Sequence, residues 1–265
     1  MKAVLKRAIQ DLLGRFNLRL VNREYLEHLI STQISDTDLA RLALLPSRHL
    51  PQLVRTLPLS KAEFRQDLFV LSQLGFKRGG FFVDFGATDG IGGSNTYLLE
   101  RSFGWTGILA EPARSWHAAL ARNRSSHIDT RCVWKATGEA ITFNEVAGLA
   151  ELSTIDRYSA SDMWGERRRQ GSTYGVETVS LDDLLLVHDA PARIDYLSID
   201  TEGSEFEILR AFDFERHRFS VITCEHNFTP MRDELHSLLT SKGYRRVLEA
   251  ISAVDDWYVS TDVRD

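Results

Sequence analysis

Cysteine is scarce in this sequence, which contains only two, Cys132 and Cys224. They lie in separate apolar stretches, without the spacing of a zinc site, and two thiols cannot build a disulfide framework. We therefore expect both side chains to be buried and reduced. Such cysteine usage is typical of a cytoplasmic protein, and we expect that compartment for this chain.

Long apolar runs and an excess of positive charge are also missing. No run of about 18 apolar residues occurs, so we expect no transmembrane segment. The N-terminal stretch MKAVLKRAIQDLLGRF mixes basic with apolar residues, and no continuous apolar core follows it, so we expect no signal peptide. The formal net charge of -5 at pH 7 does not favour nucleic acid as a partner.

The first 75 residues or so have the spacing of amphipathic helices. Apolar residues recur every three or four positions from Val4 to Phe16, and the basic residues lie mostly off that face. We predict an N-terminal helical extension over residues 1–65. Its first helix packs on the main domain or on another subunit of a homo-oligomer, or it rests on a membrane surface. The mixed charge of the later stretches NREYLEHL and SDTDLARL favours packing.

From about residue 76 the pattern changes to strands that alternate with helices. The main predicted strands are GFFVDFG, WTGILAEP, IDYLSIDTEG and FSVITCEHN, each followed by a helical pattern. Between them, TRCVWKATG, ITFNEV and VETVS predict further strands around an irregular polar section. Repeated strand–helix units predict a parallel, doubly wound sheet in a domain over residues 66–265, with ligands at the carboxyl ends of the strands. YRRVLEAI and DDWYVST are close enough to pair antiparallel at one edge.

The loop after the first strand, Asp84 to Gly90, contains the glycines that let a backbone approach a ligand closely. It lacks the Gly-Lys-Ser/Thr ending of a phosphate-binding P-loop, and Thr88 stands where a dinucleotide fingerprint requires glycine. Asp84 and Asp89 would repel a pyrophosphate but attract an ammonium and a sulfonium. This charge pattern favours S-adenosylmethionine over NAD as the cofactor.

The second strand ends at Glu111, 25 residues after Gly86. Nucleoside-binding folds place an acid there to accept hydrogen bonds from the two ribose hydroxyls. The loop and the acid together predict a cofactor site. Its predicted residues are Asp84, Gly86, Ala87, Thr88, Asp89, Asn95, Glu111, Pro112 and Asp200.

Several of these segments resemble one known family. FFVDFGATDG, SNTYLLE, GWTGILAEP, TVSLDDLL and IDYLSIDTEGSEFEIL together resemble the FkbM family of S-adenosylmethionine-dependent methyltransferases, over roughly residues 66 to 260. The specific markers are a D-x-G-A-x-D-G loop, in which Thr88 replaces a common Asn, and an I-D-x-E-G-x-E motif. The resemblance implies the Rossmann-like class I methyltransferase fold, with a mostly parallel seven-stranded sheet. It also implies O-methylation of a hydroxyl on a sugar, glycan or secondary metabolite.

Polar residues follow two neighbouring strands of the predicted sheet. Asp200 ends one strand, and Glu225, His226 and Asn227 end the next, which should bring them together. Two catalytic arrangements stay open beside a purely structural hydrogen-bonded cluster. Either His226 is a general base whose basicity neighbouring carboxylates raise, or Asp200 and Glu225 hold a divalent cation such as Mg²⁺.

The polar section DRYSASDMWGERRRQGSTYG contains three consecutive arginines beside Trp164 and Tyr174. They form either a solvated face or part of a lid in which one arginine, Arg168, grips an anionic group of the acceptor. We predict Glu202, Arg168 and Asn227 as substrate-binding residues for a small-molecule or glycan acceptor. Two alternatives to a methyltransferase remain at this point, a nicotinamide-dependent oxidoreductase and a non-catalytic partner in glycan assembly.

Overall fold

The computed structural model describes residues 35–263. By its contacts the chain divides into two compact units, with the boundary between Leu39 and Ala40, and the site lies wholly in the second. The helix predicted from Val4 to Phe16 lies outside the described residues. The predicted domain boundary at residue 65 stays a prediction.

The described chain begins with three helices, α1 (Asp36–Leu44), α2 (Leu50–Thr56) and α3 (Gln66–Gln73). Short 3-10 turns lie at Ser47–His49 and Leu57–Leu59. Proline in the first turn of α2 is tolerated because the N–H it lacks has no partner within a helix. The helical prediction is confirmed for this stretch.

A sheet of seven strands forms the centre of the domain. Its strands are β1 (Phe81–Phe85), β2 (Thr106–Ala110), β3 (His127–Asp129), β8 (Arg193–Ile199), β9 (Arg218–Glu225), β10 (Tyr244–Val247) and β11 (Asp255–Ser260). Their order is β10-β11-β9-β8-β1-β2-β3. All pairs are parallel except those of β11, which runs antiparallel to both β9 and β10. The predicted doubly wound, mostly parallel sheet with an antiparallel strand near one edge is confirmed.

Helices connect these strands and cover both faces of the sheet. They are α4 (Tyr97–Phe103), α5 (Arg114–Asn123), α7 (Leu181–Val187), α8 (Glu205–Ala211) and α9 (Met231–Ser241), while the short α6 (Gly165–Arg168) lies in the polar section between β3 and β8. Alternate residues of β1 enter different cores, because successive side chains of a strand point to opposite faces. Val83 packs with α7, α8 and α9, whereas Phe82 packs with α2, α3 and α4. Within residues 35–263, no helix is long and apolar enough to cross a bilayer.

A second, smaller sheet was not predicted. It contains β4 (Cys132–Trp134), β5 (Ala140–Glu145), β6 (Thr154–Ile155) and β7 (Ser172–Ser180), in the order β4-β7-β5-β6. Strands at β4, β5 and β7 were predicted but their pairing into a separate sheet was not; β6 is too brief to show a periodic pattern, and β7 begins inside the polar section. The sheet has its own apolar cluster, which includes Trp134, Phe143 and Ile155, and it borders the cleft at the strand ends.

Candidate active site

The loop after β1 contacts the end of β8 closely. Gly86 has a φ of 80°, and a Cβ atom at this position would lie 2.1 Å from the carbonyl oxygen of Asp200. The backbone N–H of Asp200 in turn donates to the carbonyl of Phe85, at 3.2 Å. Only glycine satisfies both the left-handed backbone and the close approach. The predicted cofactor loop and the predicted catalytic aspartate are therefore held together.

Asp84 lies beneath this loop and is buried. Its Oδ2 accepts a hydrogen bond from the Thr96 hydroxyl at 2.5 Å, and the guanidinium of the buried Arg124 also donates to that hydroxyl, at 3.1 Å. Burial raises the pKa of Asp84, although Thr96 and Arg124 act against it. Asp84 thus orders the loop from below and also lines a cavity above it.

Asp89 also shapes the loop. Its Oδ1 accepts hydrogen bonds from the backbone N–H groups of Ile91 and Gly92, both at 2.8 Å. An aspartate bonded to the backbone two and three residues ahead fixes a turn. Asp89 also lines the cavity, and its attraction for a cationic ligand group stays a prediction.

Glu111, at the end of β2, is 4% exposed. Its Oε2 accepts from the Thr88 N–H and its Oε1 from the Ala113 N–H, both at 2.8 Å. Burial raises the pKa of Glu111 to about 7, and the two backbone donors offset part of that effect. Each carboxylate oxygen has two lone pairs, so each retains one acceptor position for a ligand hydroxyl.

Two adjoining cavities lie along the strand ends. The first is mainly apolar and has Glu111 in its wall together with Pro112, Val133, Phe143 and Ile155. The second is polar and is lined by Asp84, Asp89, Asn95, Trp116 and Ser198, among others. The two share Gly86, Thr88, Glu151 and Asp200. An apolar pocket with a carboxylate beside a polar pocket suits a ligand with a nucleoside at one end and an amino acid at the other.

The second cavity contains two buried polar atoms without a partner. The Trp116 indole Nε1 and the Asn95 side-chain oxygen have no hydrogen-bond partner among the described residues. Both residues line the cavity, one as a donor and the other as an acceptor. Unpaired buried polar atoms destabilise a protein, and a ligand with a carboxylate and an ammonium would pair both.

The polar residues at the ends of β8 and β9 meet as predicted. Carboxylate oxygens of Asp200, Glu202 and Glu225 lie within 4.8 Å of one another. Asp200 faces the cleft. Even so, desolvation of its carboxyl group by the residues around it and the negative charge of Asp255 raise its pKa to about 8. Burial and the nearby Asp200 raise the pKa of Glu202 to about 9, and the same two causes raise that of Glu225 well above its ordinary value.

Arg168 differs from the arginines beside it. Its side chain is fully buried, whereas Arg167 and Arg169 are exposed. The guanidinium donates to Glu202 at 2.5 Å, to Asp162 at 2.6 Å and to the Leu152 carbonyl at 2.7 Å. The solvated-face interpretation therefore holds for two of the three arginines, and Arg168 ties the polar section to the I-D-x-E-G-x-E motif.

The three residues predicted to bind substrate are bonded to one another. Besides the guanidinium of Arg168, Glu202 Oε2 accepts a hydrogen bond from the Asn227 side chain at 3.0 Å. All three side chains are buried. Their contact with an acceptor stays a prediction, and the two hydrogen bonds form a network that positions Glu202.

His226 lies against a different acid from those expected. Its Nδ1 accepts from the Phe228 N–H at 2.9 Å, and its Nε2 lies 3.8 Å from Asp256, which is itself paired with Arg232. Burial lowers the pKa of His226 and outweighs the opposite effect of Asp256. The expectation that neighbouring carboxylates raise its basicity is wrong, because desolvation disfavours the charged imidazole more strongly.

The family model described as "Methyltransferase FkbM domain" matches residues 84–246, which is more than half of the chain and contains the loop, Glu111 and the acid cluster. The chain belongs to the FkbM methyltransferase family. The resemblance on the two motifs is thereby confirmed, and with it the Rossmann-like methyltransferase fold and the S-adenosylmethionine dependence of the family.

Three solved structures similar to this FkbM family member have low sequence identity to it. Methyltransferase FkbM from Methylobacillus flagellatus KT has 12% identity and a TM-score of 0.43, over 80% of this chain and 59% of that one. The precorrin-6y C5,15-methyltransferase from Geobacter metallireducens GS-15 has 14% identity and a TM-score of 0.36, over 68% and 71%. The TehB-like methyltransferase from Corynebacterium glutamicum has 10% identity and a TM-score of 0.35, over 80% and 95%. No curated protein matches the sequence.

Sequence reasoning missed four residues of this FkbM site: Trp116, Arg124, Ser198 and Asp255. The last had a signal, because a strand antiparallel to β9 must start where β9 ends. Asp255 begins β11 opposite Glu225, is buried and receives a hydrogen bond from Gln66 at 2.8 Å. Burial raises its pKa to about 7. No pattern distinguishes the other three, whose roles depend on neighbours distant in sequence.

The raised pKa values predict that the unliganded FkbM protein loses stability as the pH rises above about 5. The folded state holds a proton on Glu111 up to about pH 7, whereas an unfolded glutamate releases it near 4.5. Between these values each such proton lowers the unfolding free energy by about 1.4 kcal/mol per pH unit. Carboxylates with lowered pKa values, such as Asp129, change the unfolding free energy in a lower pH range.

Urea unfolding between about pH 5 and pH 7 checks this, with Glu111→Gln as the test variant, since it removes one of these protons. We expect a flatter fall in stability than in the unmodified protein. Glu166→Gln is the matched control, because the Glu166 side chain is 78% exposed. An identical pH slope in all three proteins would contradict the prediction.

Proposed function

We propose that the protein transfers the methyl group of S-adenosylmethionine to a hydroxyl oxygen of a sugar, a glycan or a secondary metabolite. The observation that carries the proposal is the position of Asp200, which lines both cavities and has a pKa of about 8. A carboxylate whose pKa lies near neutral pH is, in its ionised form, a stronger base than an ordinary aspartate and is suited to take the proton of an acceptor hydroxyl.

The residues present fit the cofactor. When bound, S-adenosylmethionine supplies an electrophilic methyl group on its sulfonium. Glu111 accepts hydrogen bonds from the ribose hydroxyls with the lone pairs that Thr88 and Ala113 leave open. Trp116 donates to the carboxylate of the methionine end, and Asn95 accepts from its ammonium. The apolar wall of the first cavity excludes water around the base.

Asp200 rather than His226 serves as the base in this proposal. Asp200 faces the cleft, whereas the His226 side chain is fully buried, with its Nδ1 occupied by the Phe228 N–H. Glu225 hydrogen-bonds to Asp200 and lowers its pKa somewhat. Its own raised pKa leaves Glu225 protonated, so it donates that bond. The Asp200–Glu225 pair thus takes up one proton from the acceptor hydroxyl. His226 instead orders the turn beyond β9.

The lining of the cleft favours a neutral acceptor. Among the described residues, no lysine, arginine or histidine lines either cavity, so nothing there pairs a phosphate or carboxylate of the acceptor. Phe228 follows Asn227 and is 61% exposed, and Trp164, in the section tied to Glu202, is 37% exposed. Exposed aromatic rings provide stacking surfaces for the apolar face of a sugar ring.

A divalent cation is the alternative way to activate the hydroxyl. Asp200 and Glu225 form an all-oxygen set of the kind that Mg²⁺ prefers, and Glu202 lies beside them. One Glu202 oxygen already binds Arg168 and Asn227, which leaves fewer lone pairs for a metal. We therefore propose the metal-free arrangement, and a chelator distinguishes the two.

The test is Asp200→Asn, assayed with S-adenosylmethionine and a panel of neutral sugars, glycans and hydroxylated secondary metabolites, with mass spectrometry for the gain of one methyl group. We expect the rate to fall by about 10²–10⁴-fold, because the asparagine cannot accept the proton. S-adenosylhomocysteine affinity, measured by calorimetry, should change only a few-fold, since Asp200 binds the reacting hydroxyl.

Two comparisons sharpen this experiment. His226→Gln keeps an acceptor for the Phe228 N–H and should lose less than about tenfold in rate. A chelator should leave the rate unchanged. A rate in Asp200→Asn equal to that of the unmodified protein would contradict the assignment of the base, and loss of activity with the chelator would favour the cation.

A further inference from the structure

The segment from Ala40 to Ala62 differs in charge from the rest of the chain. It contains Arg41, Arg48, Arg55 and Lys61 and no aspartate or glutamate, in a protein whose formal net charge is -5. Arg48, Arg55 and Lys61 are exposed. This segment therefore presents positive charge to a partner, against the overall charge of the molecule.

The same segment exposes large apolar side chains. Leu44 is 51% exposed, Leu50 42%, Val54 44% and Leu59 53%. From residue 40 onward, the other exposed large apolar side chains of the described chain occur singly or in pairs, at Met163, Trp164, Leu186, Val187 and Phe228. Single exposed apolar residues are ordinary, whereas a group of them within one short segment marks an interaction surface.

The geometry of α2 explains why two of these side chains, Leu50 and Val54, face outward together. Leu53 of α2 and Leu57 after it are buried in the core that Phe82 joins. Leu50 and Val54 lie one turn apart on a different side of α2, and Arg55 lies next to that stripe. We refer to Leu44, Arg48, Leu50, Val54, Arg55, Leu59 and Lys61 as the basic apolar face.

We propose that the basic apolar face docks on a membrane surface that contains anionic lipid. Aliphatic side chains interspersed with exposed cations match the boundary between acyl chains and anionic headgroups. A second copy of the chain would bring the same cations against one another. Single-stranded nucleic acid binds on exposed aromatic rings, and the exposed large side chains of this face are aliphatic. The proposal is independent of the proposed methyl transfer.

Vesicle flotation with the full chain tests the proposal. We expect the protein to float with vesicles of equal parts phosphatidylcholine and phosphatidylglycerol, and neither with pure phosphatidylcholine nor at high salt. The double variants R48E/R55E and L50S/V54S should each weaken binding at least about tenfold, because one removes charge attraction and the other apolar burial. All four side chains are exposed, so the melting temperature should stay unchanged.

Arg216→Glu is the matched control. Arg216 is exposed and lies between Phe214 and Phe219, which pack on the opposite face of the sheet from Phe82. Equal loss of vesicle binding in this variant and in R48E/R55E would show only a general charge effect and would overturn the proposal. So would equal binding to neutral vesicles, binding of RNA instead of vesicles, or a change of oligomeric state in L50S/V54S without vesicle binding by the unmodified chain.

Discussion

Glu111→Ala is expected to weaken S-adenosylhomocysteine binding by roughly 100-fold or more. Hydrogen bonds to a charged group stabilise by about 1.5–3 kcal/mol each, and the carboxylate retains two acceptor positions for the ribose hydroxyls. Loss of both bonds corresponds to a change of about 3 kcal/mol or more in binding free energy. Titration calorimetry of the unmodified protein and the variant measures it directly.

Glu111 also anchors the loop through the Thr88 N–H and the start of α5 through the Ala113 N–H. Glu111→Gln keeps the shape of the side chain and one acceptor oxygen, so it retains one of the two backbone anchors and loses less than the alanine variant. We expect it to lose affinity by roughly tenfold, between the unmodified protein and the alanine variant. Unchanged affinity in both variants, with unchanged melting temperatures, would overturn the assignment of the ribose site.

Arg168→Met is expected to lower the free energy of unfolding by about 3–5 kcal/mol, because it removes one partner of buried ion pairs. The carboxylates of Asp162 and Glu202 are 1% and 7% exposed, and both would lose their cation. The Leu152 carbonyl would lose its donor as well. Urea unfolding, with the midpoint and the slope fitted together, measures the change.

The neighbouring arginines supply the control for this variant. Arg167→Met and Arg169→Met change the same residue type in the same section at exposed positions, and each should shift stability by less than about 0.5 kcal/mol. Arg168→Lys should remain destabilised, since one ammonium cannot reach three acceptors arranged around a planar guanidinium. Equal stability of the three methionine variants would contradict the buried role of Arg168.

The mostly parallel sheet and the meeting of Asp200 with Glu225 were predictable. Short apolar strands separated by helices specify a parallel sheet, and the carboxyl ends of neighbouring parallel strands share one edge. The loop glycines and Glu111 could also be selected from the sequence, because their expected roles depend on spacing along the chain. The sequence therefore predicted the features that follow from the regular backbone of strands and helices.

The rest depended on burial, which the pattern does not encode. The sequence pattern does not distinguish the three consecutive arginines from one another, yet of the three only Arg168 contacts buried carboxylates. His226 has a lowered pKa because desolvation outweighs its nearest acid, a balance between two opposing effects that residue order does not fix. The second sheet includes strands of two and three residues, and its pairing joins segments distant in sequence, which no periodic pattern specifies.

The contact between Gly86 and the Asp200 carbonyl divides the cleft into a fixed part and an adaptable part. With no room for even a methyl group between them, the cofactor loop and the aspartate must shift as one body. Substitutions at Gly86 or Asp200 therefore cannot change which acceptor binds without also disturbing the cofactor loop. The section from residue 150 to residue 171 is attached to the motif through the Arg168 guanidinium, which donates to Glu202, and the Thr154 hydroxyl, which donates to the carbonyls of Thr201 and Glu202. New acceptor preferences are therefore most readily acquired by exchanging that section while keeping Arg168 and Thr154.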